Sequence, residues 1–248
     1  GFEAAAATLH SGRAMRALAF GLSESIVSLL FALCIGLPGA WIVGNYRFPG
    51  RRFLRALAAV PFCIPPILVV LGFVLYFGNN GYINRFLMAA LGLREAPFRI
   101  LYSFFGLCLV HGFYNFPLVM DSVGSAWERI PRTRSDAARS LGAGRFRAFL
   151  SGTLPSLAPS IAESSSLVLL FSFLSFVVIL VFSPPGASSL EVEVFRLARL
   201  DGDIPGAAFL ALIETIVALG VVAAISAASR WRAGREAEKA EGRTRVRP

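Results

Sequence analysis

The sequence predicts an all-α membrane protein of about five transmembrane helices, and three observations carry that prediction. Of 248 residues, 56% are hydrophobic and 16% charged, with 22 Phe, and the mean hydropathy is +0.66, far to the apolar side of a soluble domain. Five stretches, 17–44, 54–77, 100–120, 161–182 and 205–229, reach the roughly 20 mainly apolar residues that cross about 30 Å of hydrocarbon. Every Lys and Arg falls in a connection, apart from Arg55 at the start of the second stretch.

The distribution of basic residues orients the spans. Counting Arg55 with the connection before it, the six connections hold 2, 4, 3, 6, 2 and 7 of the 24 Lys and Arg, so alternate connections carry 17 against 7. The richer set is expected in the cytoplasm. This predicts an outside N-terminus, a cytoplasmic segment 121–160 and a cytoplasmic C-terminus. Three regions follow: a periplasmic lead-in over 1–16, a transmembrane domain over 17–229 and a basic tail or linker over 230–248. The lead-in has no apolar core of a signal peptide and begins at Gly1 without an initiator Met, so a further span is expected upstream. The net charge of +9 is accounted for by this asymmetry. No aromatic-interleaved basic groove accompanies it, and nucleic-acid binding is not expected.

Along the chain, the first span carries Pro38 and Glu24, and the second carries Pro61, Pro65 and Pro66 in "VPFCIPPILVV". A proline frees a backbone carbonyl that can face a cavity; Pro38 and Pro117 read as kinks, and the Pro65–Pro66 pair as a border of the pathway or a third kink. The connection "FGNNGYINRFLMAALGL" reads as a turn and an amphipathic surface helix. In the third span His111, Tyr114 and Asn115 form a polar stripe that reads as facing another helix, with His111 and Asn115 as candidate pathway residues. Ionisable groups inside spans cost a few kcal/mol and are functional candidates by default. Glu24 and Glu163 stand close enough to span ends to reach the interface, whereas Glu214 is deep and is read as pathway or as an interhelical hydrogen bond. Acidic Glu191, Glu193, Asp201 and Asp203 in 183–204 read as solvated loop or as a partner contact. Cys34, Cys63 and Cys108 lie in three different spans without metal-ligand spacing and read as small buried hydrophobes.

The segment 121–160 is polar in an otherwise apolar chain. In "ERIPRTRSDAARSLGAGRF", Pro131 stops what precedes it, and Thr133 with Asp136 makes a capping-box pattern for a short helix. Asp136 sits where the dipole favours negative charge. Ala137 and Ala138 keep one side smooth, and Gly142 can take the left-handed conformation that ends the helix. Phe146, Phe149 and Leu150 mark a second short piece, and Leu154–Pro155 returns the chain to the membrane. A docking element and an ordinary surface knob are both open on these grounds.

The spacing resembles the EAA loop of permease subunits of ATP-binding-cassette importers: Glu-Ala-Ala, three residues, Gly, nine residues, Ile-x-Leu-Pro. Asp136, Ala137, Ala138, Gly142, Leu154 and Pro155 fall on it in register, with Asp136 in place of Glu and Gly152 in place of Ile. "LPGAWIVGNYRFPGRRFLRALAAVPFCIPPILVVLGF", "LVHGFYNFPLVMDSVGSAWERIP", "FSFLSFVVILVF" and "SSLEVEVFRLARLDGDIPGAAFLALIE" look like the N-terminal half of two-half thiamine or iron(III) permeases. The resemblance implies the type I importer permease fold in a bacterial inner membrane. It makes the loop a coupling helix for ABC ATPase subunits. It further implies a periplasmic substrate-binding protein, a second permease half, fused or separate, and thiamine, its phosphates or iron(III) as cargo.

The chain shows no Walker lysine loop, zinc-protease helix or nucleophile elbow. No catalytic or metal-binding residue is expected, and ATP with its Mg is left to a partner subunit. One rival, an ion-coupled secondary transporter, would rest on Glu214. It would need no ATPase.

Overall fold

The computed structural model describes residues 12–131, 142 and 144–245, with the side chains of Arg145 and of 229–245 undescribed. Ten α-helices are present among these residues. Helix α1, Arg13–Asn45, follows Gly12 in the left-handed conformation and ends at extended Tyr46, just before Phe48–Pro49. It absorbs Pro38 without ending. Helix α2, Arg51–Cys63, buries none of its residues. Ile64 is then extended, as a residue before proline is obliged to be, and Pro66 opens α3, Pro66–Phe77. Proline at this first position lacks only an N–H that would have no helical acceptor.

The predicted second span 54–77 is therefore two short helices. Twelve residues of α3 rise only about 18 Å; the stretch long and apolar enough to cross is Pro66–Leu91, which includes α4, Tyr82–Leu91. The predicted turn and surface helix are both present. Asn84 fixes them, donating to the Gly78 and Phe98 carbonyls at 2.9 and 2.8 Å and accepting from Phe98 N–H at 2.9 Å.

Helix α5, Phe104–Arg129, is capped by Ser103, whose hydroxyl accepts from Gly106 N–H. It is the centre of the bundle, and α1 lies along most of its length. Their approach is close enough to require glycine: a Cβ on Gly112 would stand 2.4 Å from Phe31 Cβ, and one on Gly44 2.6 Å from Trp127 Cβ. After α6, Arg145–Ala148, the chain makes a π turn, Phe149–Thr153, and enters α7, Leu154–Phe173. The predicted fourth span 161–182 is not one helix either. It breaks at Leu174–Phe176 and resumes as α8, Val177–Phe182. Helix α9, Leu190–Arg199, is capped by Ser189, and α10, Ile204–Arg245, carries the fifth span and continues as helix through most of the basic segment.

Among the described residues four stretches are long and apolar enough to cross a membrane: Arg13–Asn45, Pro66–Leu91, Phe146–Phe173 and Ile204–Ala228. α5 has the length, with 26 residues, but carries His111, Tyr114, Asn115 and Asp121. Buried apolar side chains form three groups. Ala32, Val119, Val123 and Leu157 join α1, α5 and α7; Val70, Leu107, Val110, Ile179 and Phe182 join α3, α5 and α8; Ala17, Phe173, Leu190 and Leu210 close the other flank. Of the three cysteines only Cys108 is buried; Cys34 and Cys63 are exposed, against the expectation for them.

Candidate functional site

The break in the fourth span is where polar chemistry collects. α1 brings Glu24 and Ser28 to the same face one turn apart, and α5 brings His111 and Asn115 with the same spacing. Glu24 is 0% exposed and His111 1%. His111 Nδ1 lies 2.5 Å from Glu24 Oε1, and its Nε2 lies 2.8 Å from Ser175 Oγ. Ser28 donates to the same Glu24 oxygen at 2.5 Å, and Asn115 donates to Ser172 at 3.2 Å. An ionised carboxylate only accepts, so with Glu24 charged Nδ1 carries the proton and the ring is held in one orientation. Glu24 Oε2 and Asn115 Oδ1 have no protein donor.

This overturns the reading of Glu24 as a residue reaching the interface. The helix begins at Arg13, so Glu24 stands about 16 Å along it, not two turns from an end. Glu163, by contrast, is exposed, as expected. The polar stripe on α5 does face other helices.

Beside His111 opens a cavity of about 240 Å³, bordered by Phe62, Pro66, His111, Tyr114, Phe171 and Ser175. The two broken spans meet here. The Ile64 carbonyl, released from helical pairing by the prolines, receives the Tyr114 hydroxyl at 3.4 Å. The Pro65 carbonyl instead starts α3, accepting from Leu68 N–H at 2.9 Å. Of the residues read as pathway, Pro66 and His111 thus border one cavity, Pro65 adjoins it, and Asn115 lies one turn on.

Glu214 is elsewhere. It is buried on α10, within electrostatic reach of Glu191 in the first turn of α9, and its Oε1 has no partner. Burial raises the Glu191 carboxyl above its ordinary value. Glu193 is not a solvated loop acid: it is buried, accepts from Ser188 at 2.7 Å and pairs with Arg196 at 2.9 Å. Among the described residues no three His, Cys, Asp or Glu side chains group as a metal site.

Of the loop pattern, Asp136, Ala137 and Ala138 lie outside the described residues. Gly142 has φ of 81°, the left-handed region expected of it, and Leu154 and Pro155 open α7. Gly152, standing where the pattern has Ile, lies inside the π turn. Phe149 of that turn stacks on Trp127 at the end of α5.

Ser28, Ser172 and Ser175 join this polar cluster and were missed by the sequence reading, as was the pairing of Arg51 and Arg55 of α2 with Glu128 of α5. Two hydroxyls three apart in the apolar run "FSFLSF" were the available signal.

The chain matches the family described as binding-protein-dependent transport system inner membrane component over residues 36–232. It is 29% identical over 226 residues to the Escherichia coli (strain K12) molybdenum transport system permease protein ModB, covering 89% of this chain and 96% of that one. It is 28% identical over 221 residues to the Salmonella typhi putative 2-aminoethylphosphonate transport system permease protein PhnU, covering 89% and 76%. A bacterial ABC transporter involved in import of the acidic polysaccharide alginate has the same fold, with a TM-score of 0.74 at 22% identity over 93% of this chain and 83% of that one. The MetNI methionine ABC transporter in an inward-facing conformation gives 0.65 at 17% over 88% and 95%. The chain belongs to the binding-protein-dependent inner membrane component family and is the multi-pass permease subunit of an ABC importer, a transport component and not an enzyme.

Proposed function

We propose that this chain forms one half of an import path for a small oxyanion. The cavity carries the reading: its polar groups are the His111 imidazole and the Tyr114 and Ser175 hydroxyls, and among the described residues no carboxylate borders it. Such a wall suits an anion and offers a ferric ion none of the hard carboxylate ligands it favours. Relatives whose names refer to molybdenum, 2-aminoethylphosphonate and sulfate support it. A second reading, thiamine, is favoured by the rings of Phe62, Tyr114, Phe171 and Phe176 around the same cavity, since aromatic faces attract organic cations.

The family supports the rest of this reading. The segment bearing Asp136, Ala137, Ala138 and Gly142, re-entering at Leu154–Pro155, docks an ABC ATPase in the cytoplasm. That orientation agrees with the placement of basic residues. A periplasmic binding protein delivers cargo at the opposite face, and a second permease half, fused or separate, completes the path. ATP-driven closure of the ATPases opens the path outward and hydrolysis resets it; ATP and Mg stay in the partner.

Uptake of labelled molybdate, sulfate, 2-aminoethylphosphonate and thiamine is to be compared in cells with and without this chain. Accumulation of an oxyanion that requires the chain is the expected result. Dependence confined to thiamine replaces this reading with the second.

A further inference from the structure

Two consecutive residues at the end of α5 reach to different elements. Trp127 stacks on Phe149 of the π turn, with ring centroids 5.8 Å apart and planes at 22°. Glu128 turns the other way and holds both Arg51 and Arg55 of α2 on one carboxylate oxygen, Arg55 at 2.5 Å. These side chains are 22%, 28% and 34% exposed for Arg51, Arg55 and Glu128. Ion pairs of partly exposed side chains contribute little to stability, so the effect at issue is geometric.

That effect matters because α2 buries none of its residues. It is attached at its two ends: by Glu128 at the first, and at the second by Phe62, whose ring meets Tyr114 and Phe171 at 5.7 and 5.6 Å. Between them runs an unbroken helix of about 20 Å. Beyond its second end the backbone is extended at Ile64 and Pro65, and a helix interruption of this kind is where a rod can swing.

We propose that Glu128 is a positioning residue for transport: through Arg51 and Arg55 it ties α2 to the end of α5 on which the Phe149 turn rests, so that movement of the Gly142 segment passes along α2 to the Ile64–Pro66 break and the cavity. The proposal rests on the reading that the Gly142 segment docks the ATPase. Glu128 touches no cargo in this scheme and is distinct from the loop pattern itself.

The test uses the complete transporter, with its ATPases and binding protein, in proteoliposomes where ATP hydrolysis is read together with uptake of whichever labelled solute, molybdate, sulfate, 2-aminoethylphosphonate or thiamine, requires the chain in cells. Glu128→Gln is expected to assemble with unchanged ATPase content and to hydrolyse several-fold more ATP per cargo molecule taken up. Arg55→Gln is expected to act alike and serves if the first variant does not assemble. Reversal of the triad, Arg51→Glu and Arg55→Glu with Glu128→Arg, rebuilds the ion pairs and is expected to recover the ratio; ATP consumed per cargo at unchanged ATPase content is the readout that a merely structural role would not move. An unchanged ratio in Glu128→Gln, or a reversed triad that stays uncoupled, overturns the proposal. Failure of the docking reading is seen separately, as an ATPase that never copurifies with the wild-type chain.

Discussion

His111 and Ser175 meet where the fourth apolar stretch loses its helix, Nε2 standing 2.8 Å from Oγ while the other ring nitrogen faces Glu24. His111→Ala strands a buried carboxyl as well as a hydroxyl. Removing one partner of a buried pair costs about 3–5 kcal/mol, and thermal unfolding of the detergent-solubilised transporter should show a loss of that size. Adding Glu24→Ala should cost far less than its own single loss, because neighbouring groups couple by about 0.5–3 kcal/mol. Strict additivity of the two would mean that the pair is not one unit.

Gly142 has a φ of 81°, and among the described residues no atom lies within 4 Å of an added Cβ. A side chain there costs about 1–2 kcal/mol in backbone strain, so Gly142→Asp combines strain with a new charge at the proposed docking surface. Loss of the ATPase on mild-detergent copurification is the expected outcome, with Gly142→Asn closer to wild type because Asn tolerates the left-handed region. Normal substrate-driven ATP turnover in the Asp variant would contradict it.

Gly112 and Gly72 should respond oppositely to alanine. At Gly112 the added carbon meets Phe31 Cβ at 2.4 Å, whereas at Gly72 nothing lies within 4 Å. Overpacking costs about 1–3 kcal/mol, so Gly112→Ala lowers the unfolding temperature. Gly72→Ala raises it, since Ala is favoured over Gly in a helix interior by roughly 0.5–1 kcal/mol. Equal shifts would show that α1 and α5 are not in close contact.

Glu191 supplies a pH test. Burial raises its carboxyl above the ordinary 4.5, so the folded chain takes up its proton more readily than the unfolded one. Stability then falls as pH rises from 4.5 through the raised value and is level beyond it. Glu191→Gln should flatten that slope in a melting series on the acid side. The helix dipole at the start of α9 offsets part of the penalty by favouring the charge, and a slope that persists in the variant assigns it to another group.

Much of the architecture was legible because prolines and glycines act locally. Pro65–Pro66 marked a break, Gly142 its left-handed turn, and Leu154–Pro155 the start of α7. The break at Leu174–Phe176 was hidden, since "FSFLSFVVIL" holds neither Pro nor Gly, and the partner that meets the Ser175 hydroxyl there lies 64 residues away in the chain. Glu24 was misjudged for a related reason. Hydropathy marks where a span is apolar, not where its helix begins, and Arg13 and Arg16 extend α1 beyond the apolar run.

The Glu24–His111 pair also sets an order of events in biogenesis. Eighty-seven positions separate the two residues, so the ribosome delivers α1 to the membrane long before the imidazole exists, and Ser175 comes later still. The nascent α1 enters the bilayer with its carboxyl held by Ser28 on its own helix and the imidazole still to come, at a cost of about 2.5–3.5 kcal/mol if the carboxyl is charged at mid-span. Its strongly apolar remainder outweighs that cost, and the span waits, incompletely satisfied, until the third and fourth apolar stretches have been made.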